Sequence, residues 1–417
     1  MINNNRVYLF QLIRNASSYS ISKLIPGLAG IISVVLFFKW LGAEEYGKYS
    51  IIFSFTNLIA ALSFGWLNQS ILRYGSTFND KSQIINHIFK GFIFGVISIT
   101  VIVIITSTFQ FPIIFPKKNI IFLATSIGLF NIVKSIFQSE ELPNKVLFIT
   151  GAQSILMLLV SMLLVNLYNN NSISLILGIS LGYVIPIIPY IYTSKKKNIV
   201  QKKTKSIKNF FNYGAPLSIW LAISLFLNFS DRFFIEYYFG PSLMGSYAGF
   251  SEFIIRIFSI VIFPITLAVH PMLMNNWNKN KSYTKSFKIL LQASLLQILI
   301  CSLILILLII FKNYIFSSIQ LLIPNLDKSM KEILIPIFIG GFFWQLALVV
   351  HKPLELEERT LTMVGCILIS AIINIVGNYF FLPIFGIKAT AYTMIFSAAT
   401  YIILSIIISK SFIKIFR

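Results

Sequence analysis

Residues 228–256 read NFSDRFFIEYYFGPSLMGSYAGFSEFIIR, and this stretch decides how the rest of the chain is interpreted. An apolar segment ends here, a turn follows at Gly240 and Pro241, and a second apolar segment begins. The two segments carry five charged residues, namely Asp231, Arg232, Glu236, Glu252 and Arg256. A charge in the hydrocarbon core of a membrane costs about 3 kcal/mol or more, so it persists where it faces protein or water and has a partner or a task.

The turn predicts which of these charges meet. Asp231 and Glu252 each lie roughly seven to ten residues from the turn, which is about 10–15 Å along a helix. Arg232 is therefore expected within reach of Glu252. At a spacing of four, Arg232 shares a helix face with Glu236, and Glu252 shares one with Arg256. Two interpretations stay open: an ion-pair cluster that neutralises itself and fixes the packing of two helices, or groups that handle a substrate or an ion.

The composition indicates a membrane protein. Of 417 residues, 57% are hydrophobic and 11% are charged, and the mean hydropathy is +0.83. Soluble domains carry about 25% charged residues. About twelve apolar stretches approach the roughly 20 residues that cross the hydrocarbon core. Since lipid cannot satisfy backbone polar groups, we predict an all-α polytopic membrane protein.

The basic residues predict the orientation. The formal net charge is +21, but most lysines and arginines fall in short loops on one side of the predicted spans, so nucleic acid is not an expected partner. By the positive-inside rule both termini face the cytoplasm. A basic stretch near mid-chain, residues 194–208, is expected to touch anionic headgroups at about 1 kcal/mol per basic residue. The cysteines and histidines lack metal-ligand spacing, so we expect neither a metal nor another cofactor.

The two halves of the chain resemble each other. Three pairs of residues share one separation of 198: Gly42 and Gly240, Gly47 and Gly245, Tyr49 and Tyr247. The glycines suit turns that need a positive φ. The pattern predicts two parallel six-helix lobes with a central cavity, residues 1–195 and 210–417, joined by a basic cytoplasmic linker at 196–209; secondary transporters contain such repeats. At the same separation, the first half has Ser33 and Ser54 in place of Asp231 and Glu252.

Several motifs resemble one known family. Residues 40–50, WLGAEEYGKYS, resemble the LGxxxYGxYS turn of the polysaccharide transporter family. Residues 230–234, SDRFF, with the glycines and tyrosine of 240–247, resemble the second-half signature of that family. Asn374, Asn378 and residues 382–387, LPIFGI, resemble its late N-x3-N…PxFGIxG pattern. The family includes the Wzx-type O-antigen flippases and belongs to the multidrug/oligosaccharidyl-lipid/polysaccharide exporters.

The resemblance covers the whole length, with Lys388 and Ala389 standing where a Gly-Ala pair is common. It implies a flippase in the bacterial cytoplasmic (inner) membrane that carries an undecaprenyl-diphosphate-linked oligosaccharide to the outer leaflet by alternating access, for O-antigen or capsule synthesis. The implied partners are this lipid-linked oligosaccharide, anionic membrane lipids, and polymerase and chain-length proteins of the same pathway.

A diphosphate needs cations, for which arginine supplies directed hydrogen bonds and lysine a point charge. The candidate substrate-binding residues are Lys23, Arg73, Arg232 and Arg256. The candidates for ion coupling or gating are Asp231, Glu236 and Glu252, because intramembrane carboxylates serve proton relays and ion pathways, here for H+ or Na+. Structural alternatives stay open: Lys23 can snorkel to the interface, Arg73 can anchor the cytoplasmic side, and Glu252 can merely neutralise Arg256. Asn374 and Asn378 are interpreted as interhelical hydrogen bonds rather than sugar contacts.

An enzyme is disfavoured, because the longest predicted outer loop, 312–332, is short and the chain lacks a DxD motif, a Ser-His-Asp set and a metal cluster. Two transport alternatives remain. A drug/cation antiporter of the same superfamily usually needs acidic groups in the first lobe, and predicted spans 1 to 6 here have almost none. A teichoic acid- or lipid II-type flippase is the other, although about twelve spans rather than fourteen disfavour lipid II.

Overall fold

The computed structural model describes residues 2–75, 81–108, 116–140, 142–168, 170–190, 207–280, 283–357 and 359–409. Within these ranges the side chains at 2–24, 81–86, 207, 270–271, 275 and 278–280 are left undescribed. The described chain is helical and contains no strand. The predicted all-α architecture is therefore confirmed.

Thirteen α-helices follow one another along the described chain. They are α1 (Ile2–Tyr74), α2 (Lys81–Thr108), α3 (Lys117–Ser139), α4 (Pro143–Tyr168), α5 (Ser172–Val184), α6 (Ile207–Phe239), α7 (Pro241–Asn280), α8 (Tyr283–Ile310), α9 (Lys312–Leu322), α10 (Met330–Val350), α11 (Lys352–Leu356), α12 (Thr360–Phe385) and α13 (Lys388–Ile408). A 3-10 turn, Ile185–Ile187, follows α5.

Eleven helices in the described ranges are long and apolar enough to cross a membrane. The first of them, Ile25–Tyr74, has 50 residues, about twice the length that one crossing requires. It contains a break at Gly42, where φ is 73° and ψ is 176°. Counted as two spans it gives the predicted number of about twelve. Below, the first arm of α1 denotes residues 2–41 and the second arm residues 43–74.

Glycines with a left-handed backbone make the sharp turns between spans. Gly42 separates the two arms of α1, Gly240 (φ 84°) separates α6 from α7, and Gly386 (φ 64°) ends α12. A residue with a Cβ pays about 1–2 kcal/mol in this conformation, and glycine does not. Gly42 and Gly240 are also equivalent in the sequence repeat, so the predicted turns are confirmed at both positions.

The described chain folds into two compact units. Unit 1 comprises residues 1–44 and 230–417, and unit 2 comprises residues 45–229. These bounds differ from those of the predicted lobes, whose assignment stays a prediction. Of the predicted linker, residues 196–206 lie outside the described part of the chain.

In unit 2 the second arm of α1 packs closely against the first part of α6. The Ser70 hydroxyl donates to the carbonyl of Phe210 at 2.6 Å, and the Ser218 hydroxyl donates to that of Ala61 at 2.7 Å. A Cβ on Gly214 would lie 2.0 Å from the carbonyl oxygen of Trp66. Small side chains therefore let these two helices approach within main-chain contact.

The repeat motif after Gly42 supplies another fixed contact in unit 2. The carboxylate of Glu45 accepts a hydrogen bond from the backbone N–H of Ser172 at 2.9 Å, at the first turn of α5. The ammonium of Lys48 lies 2.8 Å from the same carboxylate. Glu45 therefore accepts a hydrogen bond from a backbone N–H that has no partner within the helix. Its negative charge also interacts favourably with the positive end of the α5 dipole.

In unit 1, α7 is the central helix of the apolar core. Phe258 and Ile262 of α7 pack with Cys301 and Leu308 of α8 and with Phe338 of α10. The ring centroids of Phe258 and Phe338 are 5.0 Å apart in an edge-on arrangement. This core holds rigidly the helix that carries two of the five charges singled out above.

Candidate functional site

The charged residues on either side of the Gly240 turn form a chain of ion pairs in unit 1. Nη1 of Arg232 lies 2.9 Å from Oε1 of Glu252, and Nη2 of Arg256 lies 3.1 Å from Oε2 of the same carboxylate. The contact between Arg232 and Glu252 was predicted from the turn and is confirmed. One carboxylate therefore binds two guanidinium groups, one from each helix of the hairpin.

Asp231 has its own partners beside this chain. Oδ2 of Asp231 accepts a hydrogen bond from the hydroxyl of Tyr247, and Oδ1 accepts one from the backbone N–H of Arg232 at 3.0 Å. From the sequence, Tyr247 was identified only as a member of the repeat. Its role as the partner of Asp231 was missed. The spacing of the two residues around the turn, sixteen positions, could have indicated it.

Arg256 also reaches the first arm of α1. Its Nη1 donates to the backbone carbonyl of Gly30 at 2.5 Å and to the hydroxyl of Ser33 at 3.0 Å. The Ser33 hydroxyl donates to the same carbonyl at 2.7 Å. The guanidinium group of Arg256 thus binds two residues that lie more than 220 positions earlier in the chain.

Glycines on the first arm permit this close approach. A Cβ on Gly30 would lie 3.0 Å from Nη1 of Arg256, and a Cβ on Gly27 would lie 2.8 Å from Cγ1 of Ile260. Both glycines therefore face α7, one turn apart. A larger residue at either position would require the contacting side chain of α7, Ile260 or Arg256, to shift.

Burial is graded along the ion chain. The exposed fraction of the side chain is 8% for Arg232, 14% for Glu252 and 30% for Arg256. Arg256 is thus the member of the chain that an incoming ligand reaches most easily. Arg232 is buried, and the substrate contact predicted for it from the sequence stays a prediction. It can still act through Glu252.

A polar contact joins the end of α6 to α12. The Ser230 hydroxyl donates to Oδ1 of Asn374 at 2.7 Å, and Nδ2 of Asn378 donates to the same oxygen at 3.1 Å. All three residues are buried. Asn374 therefore binds α6 to α12, as interpreted from the sequence, whereas the hydrogen bonds of Asn378 to Asn374 lie within α12.

Three candidate residues remain, namely Lys23, Glu236 and Arg73. The side chain of Lys23 is outside those that the structure describes, although its backbone belongs to α1. Glu236 is half-buried on α6, one turn beyond Arg232, and its role stays a prediction. Arg73 belongs to unit 2, where it is exposed and its guanidinium carbon lies 4.2 Å from the ring centre of Tyr213.

The four charged side chains balance one another, and one of them can exchange its partners. Arg232, Arg256, Asp231 and Glu252 carry formal charges that sum to zero, so the cluster can be accommodated inside spans. Removing one partner of a buried ion pair costs about 3–5 kcal/mol, since it leaves a charge uncompensated. A half-exposed guanidinium at one end can exchange its partners for an anionic ligand. These features, with eleven helices in the described ranges that are long and apolar enough to cross a membrane, are those of a multi-pass membrane protein.

Comparisons with known proteins show which family the chain belongs to. The chain belongs to a family described as polysaccharide biosynthesis proteins, whose sequence profile matches residues 12–277. None of the curated protein sequences matches it.

Solved structures show the same fold. A lipid II flippase, MurJ, in an inward closed conformation, has a TM-score of 0.70 and 18% identity, with 95% of this chain and 89% of that chain covered. An inward-facing multidrug resistance MATE family transporter of the MOP superfamily has a TM-score of 0.68 and 14% identity, with 97% and 99% covered. A MOP superfamily transporter from Pyrococcus furiosus, titled as having a binding pocket of reverse polarity, has a TM-score of 0.60 and 14% identity, with 98% and 95% covered. At these identities the likeness establishes the fold alone.

Proposed function

We propose that this protein is a flippase that moves an undecaprenyl-diphosphate-linked oligosaccharide from the inner to the outer leaflet of the bacterial cytoplasmic membrane. The product would serve a surface polysaccharide such as O-antigen or capsule. Membership of a polysaccharide biosynthesis family and the transporter fold both support this proposal. Alternating access between the two predicted lobes, with both termini in the cytoplasm, belongs to the proposal.

One observation carries the proposal: an arginine inside a span that is paired yet 30% exposed. A guanidinium group binds phosphate oxygens through two parallel hydrogen bonds, which suits a diphosphate. Arg256 is therefore assigned as the cation that contacts the diphosphate. Arg73 and Lys23 are further candidates along the path of the headgroup, and Arg232 orients Arg256 through Glu252.

The carboxylates are assigned to coupling. Asp231 is buried and holds Tyr247 of α7 by a hydrogen bond. Gain or loss of H+ or Na+ at Asp231 would change this contact between the two helices of the hairpin. Glu252, which binds Arg232 and Arg256 together, and Glu236 are the other members of the proposed coupling or gating group.

Deletion of the gene and complementation with variants test the function. The deletion strain should lose surface polysaccharide and accumulate undecaprenyl-linked repeat units in the cytoplasmic leaflet. Arg256→Gln should lower export about tenfold or more at normal membrane levels, since a charge-assisted hydrogen bond contributes about 1.5–3 kcal/mol. Asp231→Asn should also lower it, whereas the exposed Lys328→Gln serves as a matched control. Full export by both cluster variants would make the cluster purely structural.

A second candidate is a lipid II- or teichoic acid-type flippase, favoured by the fold shared with the flippase MurJ. The lipid that accumulates in the deletion strain distinguishes it from the first. A disaccharide-pentapeptide lipid would support the lipid II assignment, and a polyol phosphate-bearing lipid the teichoic one. Normal surface glycan with raised drug sensitivity would instead support a drug/cation antiporter, which the MATE fold also accommodates.

A further inference from the structure

The Arg256 guanidinium has acceptors of two kinds. On one side Nη2 pairs with the charged carboxylate of Glu252 at 3.1 Å. On the other side Nη1 is bound by two neutral acceptors on the first arm of α1, the Gly30 carbonyl and the Ser33 hydroxyl. Ser33 is buried, with 2% of its surface exposed, and Gly30 is half-buried.

An anionic acceptor binds a guanidinium group more strongly than a neutral acceptor does. A guanidinium binds phosphate oxygens through hydrogen bonds in which both partners are charged and which are frequently bidentate, whereas a neutral carbonyl or hydroxyl lacks the opposite charge. A diphosphate that approaches the exposed side of Arg256 therefore competes first with Gly30 and Ser33. The diphosphate displaces Glu252 less readily, because Arg232 also holds this carboxylate at 2.9 Å.

The first arm comes close to α7 at two glycines. A Cβ on Gly27 or Gly30 would lie within about 3 Å of a side chain of α7. At this close approach the bonds from Arg256 to Gly30 and Ser33 are directed contacts between the arm and α7. Removing these bonds would favour separation of the arm from α7.

We propose that the Gly30 carbonyl and the Ser33 hydroxyl compete with the diphosphate of the substrate for Arg256, so that diphosphate binding releases the first arm of α1 from α7. This inference rests on the proposed function. It adds how diphosphate binding at the same site changes the contact between the first arm of α1 and α7. Because the arm and the diphosphate compete for one group, a change that weakens the grip of the arm strengthens diphosphate binding by up to the same factor.

Binding measurements on Ser33 variants test the competition. The probes are undecaprenyl diphosphate, undecaprenol as a control for the tail, and inorganic pyrophosphate to separate lipid-borne from free diphosphate. Ser33→Ala removes one acceptor and should bind undecaprenyl diphosphate about three- to tenfold more tightly. Ser33→Asp places a carboxylate against Arg256 and should bind it about tenfold more weakly. Ser33→Thr keeps the hydroxyl and should behave as the unaltered protein.

A thiol reporter tests release of the arm. Val34 lies four residues after Gly30 on the same helix face and is 1% exposed. In a background with Cys301→Ala and Cys366→Ala, Val34→Cys should react with maleimide severalfold faster once undecaprenyl diphosphate is added. Val349→Cys, equally buried in the core of unit 1, should not change.

The outcomes separate the two proposals. Diphosphate binding that depends on Arg256, with equal affinities in all Ser33 variants and unchanged Val34→Cys labelling, overturns the release mechanism and leaves the flippase proposal in place. Absence of undecaprenyl diphosphate binding by the unaltered protein overturns both. Opposite shifts in the Ser33→Ala and Ser33→Asp affinities, together with faster labelling, support the release mechanism.

Discussion

Neutralising Glu252 should destabilise the protein far more than neutralising Arg256. Glu252→Gln leaves Arg232, whose side chain is 8% exposed, without its carboxylate at 2.9 Å. Breaking a buried ion pair in this way costs about 3–5 kcal/mol. Arg256→Gln removes a pair whose basic partner is 30% exposed, so solvent screening reduces its contribution to about 1 kcal/mol or less.

The melting temperature converts these values into an observable. In a unit of about 200 residues, 1 kcal/mol shifts Tm by about 2–4 °C. Glu252→Gln should therefore lower the apparent Tm by roughly 10 °C, and Arg256→Gln by only about 2–4 °C. The double variant Arg232→Gln with Glu252→Gln should recover part of the loss, because the buried charge of Arg232 is then removed together with its carboxylate partner.

The chain carries its own reporter for this assay. Cys301 and Cys366 are both buried, so a thiol-reactive dye labels them when unit 1 opens on heating. The exposed Lys328→Gln is the control for a change of surface charge. Equal Tm values for Glu252→Gln and Lys328→Gln would refute the reasoning, because the carboxylate would then contribute nothing to holding α6 and α7 together.

Three further substitutions have expected outcomes that the same thermal assay or export can measure. Gly240→Ala should cost about 1–2 kcal/mol from backbone strain alone, because its φ is 84° and a Cβ there meets nothing within 4 Å. Gly214→Ala should cost more, about 3 kcal/mol or above, because its Cβ would overlap the Trp66 carbonyl oxygen at 2.0 Å. Glu45→Gln loses a charge at the first turn of α5 and an ion pair with Lys48, and should cost about 1 kcal/mol with export preserved.

One glycine serves as the control for the two glycine predictions. Gly365 lies within α12, and a Cβ there would meet nothing within 4 Å. Gly365→Ala should therefore be neutral or stabilising by up to about 1 kcal/mol through helix propensity. A loss at Gly365→Ala as large as that at Gly240→Ala would contradict the assignment of strain to the positive φ.

The hairpin around Gly240 was predictable because chain connectivity and helix rise determine it. Once the turn is placed, the position of Glu252 opposite Arg232 follows from counting residues, and the ion pair was found as expected. The number of spans was predictable for a similar reason, since hydropathy and the thickness of a bilayer determine it.

The contacts of Arg256 with the first arm of α1 could not be predicted. The partners lie more than 220 residues apart, and one of them is a backbone carbonyl, which every residue type has. Sequence patterns reveal such a contact only indirectly, through the small residues that allow it. Gly27 and Gly30 were present in the sequence, but the helix that they face was set by tertiary packing alone.

The main-chain acceptor at Gly30 has a consequence for how this protein responds to random mutation. No codon change at position 30 can delete that oxygen; it can only add bulk in front of it. Scans that replace side chains along the arm would record steric damage there and miss the hydrogen bond itself. Replacing the following amide by an ester weakens the carbonyl as an acceptor and also removes the N–H of Ile31. Comparison with the same exchange in Arg256→Gln would therefore measure the strength of this grip.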